Sequence, residues 1–431
     1  MISPHRRWLD RGGAHARDRA RAVGHAVRTP NLRWYLAGYL LSMCGTWTQT
    51  LALNWLIVAE LGGGGQEVAS AILLRFLPVL ALAPWGGLLA DRLPKRTILL
   101  VTQVLWLLNA AALWGLTEAE LVSVTIIYVL NTLHGVVDGF YGPAATSILS
   151  ELVQDDGDLR LALGLSMVAS RLARFAGPVL ATAIIGVSGI ATCFLVNALS
   201  FAAMAVALLR VRPASLRAAE RVPRARGQVR QGLRYVAADP ALWIPMVALA
   251  VIANISYTFE SLLPLLASET WQGTDRTYAA LSVAAGVGAV LGGVVSMLRP
   301  PSSTRILVIS AAGFGVCEIL VALAPVLWLQ IAALVGLGVV AVVFVQATLE
   351  TVQINAAPQF RGRVAAVVGI ATAPLGAPLT GWMADTVSPR FAMAFAGGTA
   401  LAVAMGIATA AAITERRREG GADRNRAGEG T

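Results

Sequence analysis

Twelve uninterrupted apolar runs divide the chain, and each is long enough to cross a bilayer as a helix. They cover 34–59, 68–90, 97–116, 121–145, 161–187, 190–210, 241–267, 277–298, 305–324, 327–350, 364–386 and 391–413. A transmembrane helix needs about 20 apolar residues. Helices are also the open-ended way to satisfy backbone polar groups in lipid. The runs are continuous and do not alternate, which argues against a β-barrel. Composition agrees: 56% of residues are hydrophobic and 13% charged, where a soluble domain carries roughly a quarter charged. A disordered chain is excluded because there is too much to bury. A disulfide scaffold is excluded because Cys44, Cys193 and Cys317 each lie in an apolar run. The expected fold class is an all-α membrane protein of twelve transmembrane helices.

The net charge of +10 is distributed by loop. Of the 34 basic residues, all but Arg75, Arg171, Arg174, Arg276 and Arg390 fall on one side if the N-terminus is cytoplasmic. By the positive-inside rule both ends are cytoplasmic and the number of spans is even. Segment 1–33 is basic and has no apolar core, so it reads as a solvated tail near anionic headgroups and not as a signal peptide. The longest polar break, 211–240, divides the spans six and six. Its Arg run has no aromatic interleaving, so a linker helix at the interface is expected and nucleic acid is not. The expected organisation is an N-terminal six-helix bundle over 34–210, a linker over 211–240, a second bundle over 241–413 and a cytoplasmic tail over 414–431. Faint internal similarity supports two halves: Ala176-Gly177-Pro178 against Gly376-Ala377-Pro378, and Gly86-Gly87 against Gly292-Gly293. Repeated halves around a central cavity are a transporter design.

The loop Gly87-Leu88-Leu89-Ala90-Asp91-Arg92-Leu93-Pro94-Lys95-Arg96 is the most specific motif, and it holds the only lysine of the chain. It resembles the signature loop between helices two and three of the major facilitator superfamily, with Pro94 where that family usually has Gly. Gly87 permits close packing of helix two. Asp91 can engage the positive N-terminal end of helix eleven. Arg92 and Arg96 can bond carboxylates or exposed helix C-terminal carbonyls. Such contacts would form a cytoplasmic gate. Gly45-Thr46-Trp47-Thr48-Gln49, Ala52 to Leu56, Phe76 to Leu80, Phe194 to Ala198 and Arg361 to Val364 are similar to the branch containing the enterobactin exporter and macrolide efflux pumps. The resemblance covers roughly 31–412. It implies two six-helix bundles, alternating access and export driven by the proton gradient. The second half departs from the pattern: 299–305 reads RPPSSTR, without an acidic residue. Gly177-Pro178 resembles the helix-five motif of drug–proton antiporters, with Ala173 and Ala181 where further glycines would stand.

Ionisable residues within the spans are the sharpest functional signal, because a charge at the bilayer centre costs about 2.5–3.5 kcal/mol or more. Glu260 in helix seven is the first candidate for proton coupling, since burial disfavours its charged form and exposure restores it. Arg75 in helix two is its candidate counter-charge. Asp138, one turn from His134 in helix four, is a further candidate and is also suited to a structural pairing with Arg171 or Arg174. Asn254, Tyr257 and Ser261 lie near the Glu260 face. Trp47, Gln49, Asn54, Arg171, Arg174, Asn254 and Tyr257 are candidates for the wall of a substrate cavity, where aromatic and amide groups suit an amphipathic organic molecule. Gln346, Glu350 and Gln353 share a face near the inner end of helix ten. Glu318 in helix nine has no evident functional use and should face a neighbouring helix or reach outward.

Several apparent motifs carry nothing. Gly62 to Gly65 form an outer loop with no phosphate-loop continuation. Gly286-Val287-Gly288 and Gly336-Leu337-Gly338 read as helix-packing surfaces. His and Cys show no metal-ligand spacing, and no cofactor is expected. The expected function is secondary active transport: proton-coupled export of a small amphipathic compound such as a drug, siderophore or secondary metabolite, by a monomer in a bacterial inner or plasma membrane. A symport importer, a lysophospholipid-flipping transporter of the same fold, a lipid-modifying enzyme and a non-transporting sensor stand as alternatives.

Overall fold

The computed structural model describes residues 30–153, 156–212, 228–300, 302–357, 360, 364, 367–369, 371–372 and 374–428. Within that set, the side chains of 91, 156, 157, 160, 175, 228–230 and 413–428 are not described. The expectations for 1–29 and for most of 211–227 therefore lie outside the described residues, as does that for the side chain of Asp91.

The described chain is helical. In order, α1 is Pro30–Trp55, α2 Gly65–Arg92, α3 Lys95–Glu118, α4 Val124–Leu152, α5 Asp156–Ser188, α6 Ile190–Arg210 and α7 Gln228–Ala238. Then follow α8 Pro240–Val251, α9 Phe259–Leu265, α10 Asp275–Leu298, α11 Thr304–Leu323, α12 Leu327–Asn355, α13 Ala377–Thr386 and α14 Pro389–Gly428. Among the described residues nine helical stretches are long and apolar enough to cross a membrane. Helices α1 and α4 are long enough, at 26 and 29 residues, but are not among the nine. The polar groups of α1 (Thr46, Thr48, Gln49, Asn54) and of α4 (Asn131, His134, Asp138) lower their hydropathy.

Two expected spans are interrupted. Helix seven is assembled from α8, a π-helical turn Ile252–Ser256, α9 and a second π-helical turn Leu266–Thr270. Helix eleven breaks at 374–376, before α13. Proline accounts for both, since it removes a backbone donor and clashes with the preceding turn: Pro245 and Pro264 lie in the first, Pro374 and Pro378 in the second. Turns and starts are marked locally. Gly189, at φ +83°, separates α5 from α6, and Asp239 Oδ1 accepts from Ala241 N at 2.9 Å to open α8. The amphipathic α7 lies within the expected linker. Its Tyr235 stacks on Phe360 at 4.1 Å, and the Tyr235 hydroxyl accepts from Ala357 N.

The chain forms two compact units. The first holds the chain to Ala52, Leu77–Val122 and Val129–Val222; its core joins Leu32, Tyr35, Leu99, Ile148, Met204 and Leu208. The second holds Leu53–Phe76, Ser123–Tyr128 and the chain from Pro223. There α10 crosses α12 closely: a Cβ on Gly288 would lie 2.1 Å from the Val335 carbonyl, and one on Gly338 2.3 Å from that of Ala285. The glycine pairs of helices eight and ten are thus packing surfaces.

Candidate functional site

In the first unit α1 and α5 touch at Gly177. A Cβ there would meet Trp47 Cβ at 2.3 Å and Thr48 N at 3.0 Å. Thr48 Oγ1 donates across this crossing to Gly177 O at 3.2 Å. The contact brings the Arg174 guanidinium over the Trp47 ring, 4.7 Å from its centroid, a cation–π pairing between two predicted cavity residues. Gln49 is buried and accepts from Asn197 Nδ2 at 2.7 Å. Arg171 lies half-buried on α5. On α4, Asp138 lies 3.8 Å from His134 Nε2, and the His134 ring stacks on Trp106 at 5.2 Å.

The signature loop is equally concrete. Gly87 is buried, and its neighbour Gly86 makes the close approach: a Cβ there would lie 2.1 Å from Gly139 O. Arg92 is exposed at the end of α2. Lys95 pairs with Glu151 at the end of α4. Arg96 donates from Nε to Leu208 O at 2.7 Å and from a terminal nitrogen to Leu209 O at 3.0 Å. These are C-terminal carbonyls of α6, groups that no helix can satisfy internally.

The second unit gathers a second set. Trp55 stacks on Tyr278 with centroids 5.5 Å apart. Asn54 near the end of α1, Glu260 on α9 and Tyr278 on α10 lie in this same unit. Tyr278 was not singled out from sequence, because a Tyr at the start of an apolar run gives no signal. Arg75 lies half-buried on α2 in the same unit. Asn254, inside the π-helical turn, donates to Ala371 O at 3.1 Å and accepts from Gly376 N at 3.1 Å. It thereby satisfies backbone groups freed where helix eleven breaks. Tyr257 packs its ring against Phe259 and Phe314.

Two contacts at the helix ends were not anticipated. Asp385, the penultimate residue of α13, caps α2: Gly65 N donates to Oδ1 at 2.5 Å and Gln66 N to Oδ2 at 2.8 Å. The available signal was the pattern Gly-x-x-Ala-Asp, which occurs at 87–91 and again at 381–385. In addition, Arg299 donates to Glu350 Oε2 at 2.8 Å. The acid missing from the second loop is supplied by α12, just as Glu151 on α4 serves Lys95. Gln346 and Gln353 lie half-buried and exposed on that helix. Among the described residues no His, Cys, Asp and Glu cluster fits a metal ion.

The family model for transmembrane secretion effectors matches residues 26–427. An uncharacterized MFS-type transporter of Bacillus subtilis (strain 168) is 25% identical over 221 residues, 50% of this chain and 52% of that protein. The chain thus spans about half the length of that relative. The staphyloferrin A transporter of Staphylococcus aureus is 21% identical, over 61% of this chain and 66% of its own. Macrolide efflux protein A of Streptococcus pyogenes is 21% identical over 81% of this chain and 88% of its own. Among solved structures, a bacterial homolog of the human lysosomal transporter Spinster, in an inward-facing and unoccupied conformation, superimposes with a TM-score of 0.69 at 14% identity, covering 89% of this chain and 96% of that one. The chain belongs to the transmembrane secretion effector family of major facilitator transporters, multi-pass proteins of the bacterial cell membrane.

Proposed function

We propose that this transporter exports small amphipathic organic compounds in exchange for protons, by alternating access between two six-helix bundles with both chain ends in the cytoplasm. The observation that carries the reading is Glu260, an acidic side chain within helix seven, in the compact unit that also holds the Trp55–Tyr278 stack. That unit joins helix seven to the Leu53–Phe76 segment of the first half. Protonation of Glu260 changes the charge at that junction, and a two-state element can be biased by such a change. Arg75 is its counter-charge in the unprotonated state. In the first unit the Trp47–Arg174 pair, Gln49 and Arg171 contact substrate, and Asp138 with His134 is a secondary proton site; in the second, Tyr257 contacts substrate. The loop that carries Asp91 and Arg92 serves as the cytoplasmic gate. The similarity to a staphyloferrin A transporter and a macrolide efflux protein supports an organic cargo moved across the membrane.

Reconstitution in liposomes with the macrolide erythromycin as probe tests this. An inward proton gradient should drive erythromycin against its own gradient with opposite proton movement. Glu260→Gln should abolish the pH dependence while leaving erythromycin counterflow between equilibrated compartments. Movement of erythromycin in the same direction as protons would establish symport and overturn export. Unchanged pH dependence in Glu260→Gln would remove Glu260 from coupling.

A further inference from the structure

Two segments that the sequence marks out, Gly45 to Gln49 and Phe194 to Ala198, meet in the first unit along a seam between α1 and α6. The helices touch at glycines. A Cβ on Gly38 would lie 2.7 Å from Met204 Sδ, and one on Gly45 2.3 Å from Ser200 Oγ and 2.6 Å from Asn197 Oδ1. The space that a side chain at position 45 would fill is thus taken by the polar groups of α6. Asn197 has no exposed surface, and Phe194, Ala198 and Phe201 on the same helix are buried and apolar. An amide in such a place has to be bonded within the protein, because an unpaired group there forfeits its hydration.

The bonds run in one direction along the seam. Ser200 Oγ donates to Asn197 O at 2.8 Å and to Asn197 Oδ1 at 3.0 Å, its one hydrogen shared between them. With its oxygen turned to that donor, Asn197 donates from Nδ2 to Gln49 Oε1 at 2.7 Å. Gln49 is left with its other end. Among the described residues nothing accepts from Gln49 Nε2, and that nitrogen is not one of the unpartnered atoms sealed in the core. It belongs to the 6% of Gln49 that stays accessible. A glutamine amide has a donor end and an acceptor end of nearly the same shape. The buried partner therefore decides which end is offered to the outside.

We propose that Asn197 is a positioning residue for specificity: it holds the Gln49 amide with the N–H bonds of Nε2 turned outward, so that this position binds an acceptor group of the transported compound. A carbonyl, ether or hydroxyl oxygen fits; a group that can only donate does not. Asn197 is wholly buried and acts through Gln49, and Ser200 fixes Asn197 in turn. Gly45 is the residue that lets the two helices come close enough for the chain of bonds to form. The use of the amide rests on the reading above that Gln49 contacts substrate; its orientation does not.

Full-length protein in phospholipid nanodiscs, with 15N in its asparagine and glutamine side-chain amides, is followed by NMR without substrate. The Gln49 and Asn197 signals are those lost in Gln49→Ala and Asn197→Ala. In wild type the Gln49 NH2 should exchange with water at least about tenfold faster than that of Asn197. A Gln49 NH2 as protected as that of Asn197 means that the pair sits the other way round, and overturns the proposal. In liposomes, Asn197→Ala and Gln49→Ala should each raise the KM for erythromycin about tenfold and change the maximal rate by less than about twofold. The double variant should be no worse than Gln49→Ala, because Asn197 acts only through Gln49. Ser200→Ala, the mildest change, should raise KM in the same direction and add nothing in the Gln49→Ala background. A further rise in either double variant makes the role one of packing and overturns the proposal. Proton-driven erythromycin export with a protected Gln49 amide leaves the transport reading intact and removes this inference. A freely exchanging Gln49 amide in a protein that does not move erythromycin keeps the orientation and removes its use in transport.

Discussion

The Asp385 carboxylate holds the backbone N–H of Gly65, and the two helices that carry them meet at that point: a Cβ on Gly381 would lie 2.4 Å from Gly65 O. The relation mirrors the one expected of Asp91. Here a carboxylate near the C-terminal end of one helix faces the positive N-terminal end of another. Asp385 is exposed, so its charge contributes about 0.3–1 kcal/mol. Asp385→Asn should therefore shift the balance between closed and open forms at this end by about two- to fivefold. Maleimide labelling of a cysteine placed at Gly62 reads the shift. Equal labelling in parent and variant would mean that Asp385 caps α2 without holding the junction closed.

The α1–α5 crossing makes a steric prediction. Gly177→Ala places a methyl group against Trp47 and the Thr48 backbone, and neither is the end of a flexible chain. Overpacking of this kind costs about 1–3 kcal/mol. The variant should melt at a lower temperature by tryptophan fluorescence in detergent, and transport should fall because Trp47 no longer meets Arg174. Gly164→Ala, on the same helix with open space at its Cβ position, should leave both unchanged.

What the sequence made legible follows from the range of the interactions. Apolar length marked most of the helices, and the loop motif pointed to cations among helix ends, where Arg96 bonds the last carbonyls of α6. Tyr278 stayed hidden because the ring it stacks on, Trp55, is distant in sequence. Asp385 stayed hidden because its partner is backbone. Glu318, expected to face a neighbouring helix or reach outward, is fully buried with no hydrogen-bond partner on either carboxyl oxygen. The breaks in helices seven and eleven were within reach of a stricter reading of Pro264, Pro374 and Pro378, but apolar continuity masked them.

Tyr278→Phe separates the two parts of the second-unit cluster. It keeps the stack on Trp55 and removes a buried hydroxyl in the unit that holds Glu260. A hydroxyl hydrogen bond contributes about 0.5–1.5 kcal/mol, so folding should survive. Proton-driven erythromycin transport should show an altered pH profile, whereas Trp55→Ala should mainly lower apparent affinity or stability. An identical pH profile in Tyr278→Phe would place the hydroxyl outside the coupling path.

The paired loop contacts allow a comparison within one molecule. Lys95 and Glu151 expose 14% and 12% of their side chains, Arg299 and Glu350 10% and 37%. Water screens the second pair more, so it belongs nearer the surface regime of about 0.2–1 kcal/mol. The first should couple by about 1–2 kcal/mol. Double-mutant cycles with Lys95→Met and Glu151→Gln, and with Arg299→Met and Glu350→Gln, read as non-additive changes in melting temperature, should give the larger coupling in the first half. Raising the salt concentration should shrink the Arg299–Glu350 term more. If the second pair couples as strongly and resists salt, the Glu350 carboxylate is more enclosed in the membrane than its exposed surface implies, and the two halves brace their loops with equal strength.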